Sequence, residues 1–111
     1  MTELQTIKEN RTFRHLYRSK KCYVYPQLVV YVGRNRCNEF RYGITASKKI
    51  GNAVQRNRCR RVIKAALYTL GAELRKGYDV VIVARSRAAY VKSTELTAVL
   101  EESLKKAGVI R

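Results

Sequence analysis

The stretch "SKKIGNAVQRNRCRRVIKAAL", Ser47 to Leu67, decides the fold because it contains most of one long helix and carries an unusual concentration of charge. Seven basic residues lie in it, and five of them fall within nine positions. Like charges three and four residues apart on a helix repel each other. We therefore expect a polyanionic partner, and the rest of the sequence must show whether this segment is a reaction centre or a binding surface.

A helical projection places the charges of this segment on one side. The apolar face consists of Cys59, Val62, Ile63, Ala66 and Leu70. The opposite face consists of Asn57, Arg60, Arg61 and Lys64, flanked by Arg56 and Arg58. No acidic residue occurs between Glu39 and Glu73, whereas an ordinary solvated helix face mixes both signs. Guanidinium groups offer a fork of donors that suits phosphate, and the amide of Asn57 could contact a base edge or a ribose hydroxyl.

The overall composition supports a nucleic-acid partner. The chain has 111 residues, which predicts a single domain over residues 1–111, and 24 Lys and Arg against 8 acids give a formal charge of +16. An anionic membrane surface is the second interpretation, but no apolar run is long enough to span a bilayer. The start of the chain lacks the apolar core of a signal peptide. We therefore expect a soluble, cytoplasmic protein without a membrane partner.

The cysteines and the single histidine predict no metal site. Cys22, Cys37 and Cys59 are odd in number and far apart, no CxxC pair occurs, and His15 is the one histidine. Zinc-ligand spacing is therefore absent. We expect three reduced thiols, as is usual in the cytosol.

Periodicity and turn residues predict an α/β sandwich in which helices cover one small sheet. The first half comprises a helix over Asn10–Arg18, a strand over Tyr23–Gly33 with an edge or bend at Pro26, and a second strand over Glu39–Ser47, antiparallel to the first. The second half comprises a helix from Ala53 that is capped by Asn52 and ends by Gly77, an apolar strand over Tyr78–Ala84, and a last helix from Ser93 or Thr94 to about Ala107.

Alternation along the strands leaves two interpretations open. Tyr23, Tyr25, Val29 and Tyr31 fall on one face of the first predicted strand, which could be either a second core or a platform on which bases stack. In the second predicted strand, Arg41, Gly43, Thr45 and Ser47 form a small, polar face. An aromatic face beside a small polar face suits a groove for unpaired nucleotides.

The acidic residues do not form a catalytic centre. The eight acids are scattered over several elements, and only Glu101 and Glu102 adjoin. A protein nuclease needs a carboxylate cluster for metal ions or a paired general acid and base. His15 lies between Arg14 and Arg18, which predicts a surface or RNA-contacting residue. The long basic helix is therefore interpreted as a binding surface.

The segment "SKKIGNAVQRNRCRRVIK" resembles the signature of the bacterial ribonuclease P protein subunit. The resemblance rests on the doublet Lys48-Lys49, on Gly51, on Ala53-Val54, and on the triplet Arg56-Asn57-Arg58 at the family's spacing. The element order and the pair Phe13 and Tyr17 also fit. Tyr17 departs modestly, since the family often has Phe there, and it keeps stacking possible while adding a polar tip.

The resemblance implies a specific fold and function. It implies a two-layer α/β sandwich of αβββαβα order, with a small, mostly antiparallel sheet and a left-handed crossover around the long helix. It also implies a ribonucleoprotein subunit that assists a catalytic RNA in removing the 5′ leader of precursor tRNA. The protein is expected to be monomeric and not itself catalytic, and Mg²⁺ is expected to be held mainly by the RNA. The competing hypotheses are a structural RNA-binding protein of ribosomal type and a self-sufficient nuclease.

The resemblance also assigns binding residues. Residues expected to contact the RNA subunit are Lys48, Lys49, Arg56, Asn57, Arg58, Arg60, Arg61 and Lys64. Residues expected to hold the single-stranded leader are Phe13, Tyr17, Tyr31 and Thr45. For the two aromatic residues of the first helix, packing on the sheet is a competing role.

Overall fold

A computed structural model describes residues 4–19 and 21–110, which form one five-stranded sheet and three helices. The strands are β1 (Gln5–Thr6), β2 (Cys22–Val24), β3 (Leu28–Arg34), β4 (Arg41–Thr45) and β5 (Tyr78–Ala84). The helices are α1 (Asn10–Tyr17), α2 (Ala53–Thr69) and α3 (Ser93–Ala107). The predicted α/β class is confirmed. None of the described helices is long and apolar enough to cross a membrane.

The sheet has the order β1-β4-β5-β3-β2, with β5 in the centre. β1 and β5 both pair with β4 in parallel, whereas the β5–β3 and β3–β2 pairings are antiparallel. The sheet is therefore mixed: the predicted antiparallel character holds for β3 and its two neighbours, whereas both pairings of β4 are parallel. The second predicted strand, β4, runs antiparallel to β3 as predicted, but it does not neighbour β3, because β5 lies between them. Since β5 is apolar on both faces, it occupies the fully buried position between β3 and β4.

The predicted first strand is in fact a hairpin that reverses at Pro26. The N–H of Tyr25 donates to the C=O of Leu28 at 2.9 Å, and Tyr23 lies opposite Val30. Cross-strand partners share a face of the sheet. Tyr23 and Tyr25 therefore pack with the main core, and the prediction that they share a face with Tyr31 is wrong.

Helices cover both faces of the sheet. α2 and α3 pack over a core that includes Leu28, Val30, Val32, Val80, Ile82, Leu100 and Leu104. On the opposite face, Leu16 of α1 packs with Ile7 and Val81 in a smaller cluster. The predicted two-layer sandwich thus describes α2 and α3, and α1 adds a partial third layer.

The long helix ends earlier than predicted. α2 stops at Thr69, and residues Gly71–Glu73 continue as a 3-10 turn. Glycine has a low helix propensity, and the chain turns there while Leu70 stays buried. The prediction that the helix reaches almost to Gly77 is therefore wrong.

The parallel strands β4 and β5 are joined through α2. With β4 running upward and α2 in front, Tyr42 points toward the viewer, into the core under α2. In a strand of L-residues viewed in this way, the N–H and C=O of that residue point to the right. The C=O of Tyr42 accepts a hydrogen bond from Ile7 N–H at 2.8 Å, next to β1, so β5 lies to the left. This arrangement favours the left-handed crossover that the resemblance predicts.

A buried ion pair fixes β4 against β5. Nε and Nη2 of Arg41 donate to the two carboxylate oxygens of Asp79 at 2.8 and 2.7 Å. The amide of Asn35, just beyond β3, donates to the same carboxylate at 2.7 Å. Hydrogen bonding with Asp79 raises the pKa of Arg41 above its ordinary value. The three central strands are therefore joined at one end by a single carboxylate.

Candidate nucleic-acid interface

The start of α2 is fixed by a capping box. Asn52 Oδ1 accepts a hydrogen bond from Gln55 N–H at 2.9 Å, and Gln55 Oε1 accepts one from Asn52 N–H at 3.0 Å. Gly51 precedes the cap at φ 145°, a conformation that side-chain-bearing residues rarely adopt. The predicted cap at Asn52 is thereby confirmed. Exposed Lys48 and Lys49 lie in the 3-10 turn just before the helix.

The charges of α2 lie on the solvent side, as the projection predicts. Asn57, Arg60, Arg61 and Lys64 are exposed, whereas Cys59, Ile63, Ala66 and Leu67 are buried. Burial raises the pKa of the Cys59 thiol, against a smaller lowering by Arg58, so this thiol serves as an uncharged core group. We call the exposed side of α2, together with Lys48 and Lys49, the basic face.

Two arginines of the predicted set have a second, structural role. Arg58 is half-buried, and its Nη2 donates to the C=O of Val91 at 3.2 Å. Arg60 donates weakly to Asn57 Oδ1 at 3.5 Å and to the C=O of Ala46 at 3.4 Å. These contacts hold the helix to the chain before α3 and to the end of β4. The remaining donors of Arg60 stay available to a partner.

An aromatic cluster lies on the other face of the sheet, under α1. The rings of Tyr17 and Tyr31 meet edge to face, with centroids 5.1 Å apart at 82°, and the Phe13 ring lies 6.5 Å from Tyr17. Phe13 sits directly over Gly43, where a Cβ atom would come within 2.5 Å of the ring. Gly43 is therefore required for α1 to approach β4 this closely. The sequence predicted Gly43 only as one member of the small, polar face of its strand, without the contact with Phe13.

An open cavity of about 600 Å³ lies beside this cluster. It is lined by Asn10, Phe13, Arg14, Tyr17 and Thr45. Three of the four residues predicted for leader binding thus line one cavity, while the fourth, Tyr31, contacts the ring of Tyr17. Burial raises the pKa of the Tyr31 phenol, and neighbouring Cys22 and Tyr17 add to the rise. We call this space the aromatic cavity.

Sequence reasoning missed some residues of this region. Cys22 lies opposite Tyr31 on the hairpin, a placement that depends on the reversal at Pro26. Asn10 and Arg14 line the cavity because they lie one turn apart on the same side of α1 as Phe13 and Tyr17. Helical spacing from the two aromatic residues could have found them.

The described residues offer no obvious protein reaction centre. Within residues 4–19 and 21–110, no group of three or more His, Cys, Asp or Glu side chains is placed to hold a metal ion. Asp79, the one buried acid there, is engaged by Arg41 and Asn35. His15 is exposed on α1. The arrangement is suited to binding.

The fold and site define a cationic α/β protein with one basic helix face and one aromatic cavity, as nucleic-acid-binding proteins have. A family model described as "Ribonuclease P" matches residues 1–108. The chain is 40% identical over 104 residues to a "Ribonuclease P protein component" of Clostridium botulinum (strain Loch Maree / Type A3), covering 93% of this chain and 94% of that protein. A protein of the same description from Shouchella clausii is 37% identical over 114 residues, covering 99% and 91%.

Solved structures agree with these relatives. The Staphylococcus aureus RNase P protein superposes with a TM-score of 0.87 at 32% identity, covering 98% of this chain and 100% of that one. The Thermotoga maritima RNase P protein shares the fold, with a TM-score of 0.81 at 23% identity over 92% of this chain and 96% of that one. The chain belongs to the ribonuclease P protein family. The predicted role as a subunit of an RNA-based endoribonuclease is confirmed, and the ribosomal type is not favoured.

Proposed function

We propose that the chain binds the catalytic RNA of ribonuclease P through its basic face and holds the single-stranded 5′ leader of precursor tRNA in the aromatic cavity. The observation that carries the leader site is the grouping of Phe13, Tyr17 and Thr45 around one open cavity. Unpaired bases stack on exposed aromatic rings with little sequence preference. Such a site suits leaders of differing sequence.

The basic face would neutralise phosphates of the RNA subunit. Its expected contacts are Lys48, Lys49, Arg56, Asn57, Arg58, Arg60, Arg61 and Lys64. These side chains lie in a segment without acids, so the face repels itself until a polyanion offsets its charge. Binding would release counterions from the RNA and depend steeply on salt. Arg58 would also position α2 through its bond to Val91.

The chemistry would remain with the RNA. Mg²⁺ supplies charge stabilisation in phosphodiester hydrolysis, and in the holoenzyme we expect the RNA subunit to hold most of it. The described acids of this chain do not fit a metal centre of their own. The residues of the protein would therefore orient the leader and screen phosphate repulsion.

The state of the free protein follows from its charge. A formal charge of +16 opposes self-association, so we expect a monomer that joins one RNA subunit. Three free cysteines, at Cys22, Cys37 and Cys59, are compatible with a reducing cytoplasm.

Reconstitution tests this proposal. The protein is added to a bacterial ribonuclease P RNA at low magnesium, and removal of the leader from precursor tRNA is followed over time. We expect strong stimulation, because the protein adds contacts to both RNAs. An absence of stimulation would contradict the proposal. Cleavage by the protein without any RNA subunit would show instead that the protein is itself a nuclease.

A further inference from the structure

The edge of β4 is only partly covered. β1 pairs with Arg41 and Tyr42, and the residues from Gly43 to Thr45 extend beyond it. Alternate residues of a strand direct their N–H and C=O to the same side, so the peptide groups of Ile44 point the same way as the Tyr42 C=O. Among residues 4–19 and 21–110, no hydrogen bond to the Ile44 peptide groups is found. A strand edge with available donors and acceptors is a natural place for another chain to bind.

A second cavity, of about 520 Å³, opens at this edge. We call it the edge cavity. Its apolar wall includes Ile7, Phe13 and Ile44, and its rim carries Arg60, Arg61 and Lys64 from the basic face. None of the acidic side chains that the structure describes lines it. The apolar wall suits a nucleotide base, and the cations on the rim suit its phosphate. The same cations disfavour a positively charged partner.

The two cavities are adjacent. Phe13 lines both of them, so its ring forms the boundary between the aromatic cavity and the edge cavity. A single strand that leaves Tyr17 and Thr45 can therefore pass the Phe13 ring and reach the edge of β4 without crossing the core. The basic face and the aromatic cavity, which lie on opposite faces of the sheet, meet at this edge.

We infer that the edge cavity binds a second segment of the same single-stranded RNA, with a base against Phe13 and Ile44 and a phosphate at Arg60, Arg61 and Lys64. This inference rests on the proposed function, since it extends the leader site. It gives the second half of the basic face a share in substrate binding, in addition to docking the RNA subunit. The peptide groups of Ile44, which bond to none of the described residues, can hydrogen-bond the edge of the base.

The number of nucleotides that the protein covers tests the inference. Affinity of the protein alone is measured by fluorescence anisotropy for labelled single-stranded RNA oligonucleotides of increasing length at constant salt. For the unchanged protein, affinity rises with length and then reaches a plateau. For Lys64→Ala, we expect the plateau at a length shorter by one or two nucleotides and an affinity about fivefold lower for long oligonucleotides. Short oligonucleotides that fill only the aromatic cavity should bind unchanged.

Lys76→Ala is the matched control, because it removes the same charge from an exposed position outside both cavities. It should leave the plateau length unchanged. A uniform loss at every length for Lys64→Ala would overturn the inference in favour of general charge attraction, and so would no change at all. A polyglutamate peptide with the same number of charges as the long RNA serves as a competitor. If it displaced the long RNA from the unchanged protein but not from Lys64→Ala, the edge cavity would instead be assigned to an acidic protein. The reconstitution assay is independent, so the proposed function can stand where this inference fails.

Discussion

Tyr17 keeps a large part of its ring open among the aromatic side chains of the cluster, with 42% of the residue exposed. The ring meets that of Tyr31 edge to face, and this contact limits the positions that the Tyr17 ring can adopt. A flat ring held in place can stack on a base at a small cost in side-chain entropy. Phe13, in contrast, packs over Gly43 and also lines the cavity, so packing on the sheet does not exclude a place in the proposed leader site.

Replacement of Tyr17 by Ala should weaken the binding of precursor tRNA to the reconstituted holoenzyme. Stacking on one base contributes about 1–3 kcal/mol, so we expect a loss of about 5- to 150-fold. Mature tRNA lacks the leader and should bind as before. Tyr90→Ala is the matched control, since Tyr90 is 76% exposed and lies outside the aromatic cavity. Equal losses for both tRNAs would remove Tyr17 from the leader site.

The carboxylate of Asp79 gives a second prediction at the residue scale. Arg41→Met should lower the free energy of unfolding by about 3 kcal/mol, because it leaves a buried charge without its main partner. This value is at the low end for such pairs, since the Arg41 side chain keeps 23% of its surface exposed. Urea unfolding measures the change.

The double variant Arg41→Met/Asp79→Leu serves as the control for this pair. It removes the lone charge and should recover much of the lost stability. If the double variant is less stable than Arg41→Met alone, the desolvated charge is not the cause.

At the scale of elements, the features that could be predicted from the sequence are those that depend on local patterns. The amphipathic pattern and Asn52 define the start and the faces of α2, and the apolar run Tyr78–Ala84 defines β5. The place of β5 between β3 and β4 is different, because strand order depends on pairing between distant segments. The two-residue strand β1 has no periodicity to detect, and yet it determines where the edge cavity begins.

The candidate site likewise has one part that local pattern predicts and one part that depends on contacts between distant segments. The basic face could be predicted because its residues lie on one helix, where 100° per residue fixes their directions. The aromatic cavity needed the family resemblance, since Phe13 and Thr45 come from separate elements. Tyr23 was wrongly grouped with Tyr31 because the alternation of side chains between the two faces holds only within one strand, and the chain reverses between these residues.

The basic face also gives a prediction at this scale. The double variant Arg60→Ala/Arg61→Ala should bind the RNA subunit more weakly and with a shallower salt dependence. Each lost phosphate contact reduces the slope of log affinity against log salt by about 0.9 for a duplex. Filter binding over a range of salt concentrations measures the slope. Arg75→Ala/Lys76→Ala removes the same charge beyond the end of α2 and should leave the slope nearly unchanged; equal slopes in both double variants would argue against the assignment.

At the scale of the whole molecule, net charge opposes the compact state. The formal charge of +16 on 111 residues favours expansion when no polyanion is bound. Sulfate should stabilise the free protein by binding the folded state at its clustered cations. We expect the Tm to rise by about 4–8 °C for each kcal/mol gained. Sodium chloride at equal ionic strength is the control, and an equal rise with both salts would indicate screening without anion binding.

The central position of β5 also has a consequence for the order of events during protein synthesis. β5 takes part in two of the four strand pairings, and among the described strands it leaves the ribosome last. A nascent chain that ends before Tyr78 can form the β2–β3 hairpin and the β1–β4 pair, but these two halves have no strand between them. Arg41 then lacks Asp79, and α1 lacks the β5 part of its contact surface. The sheet therefore cannot be completed until β5 has been made and has left the ribosome, which happens after the basic helix has already been made.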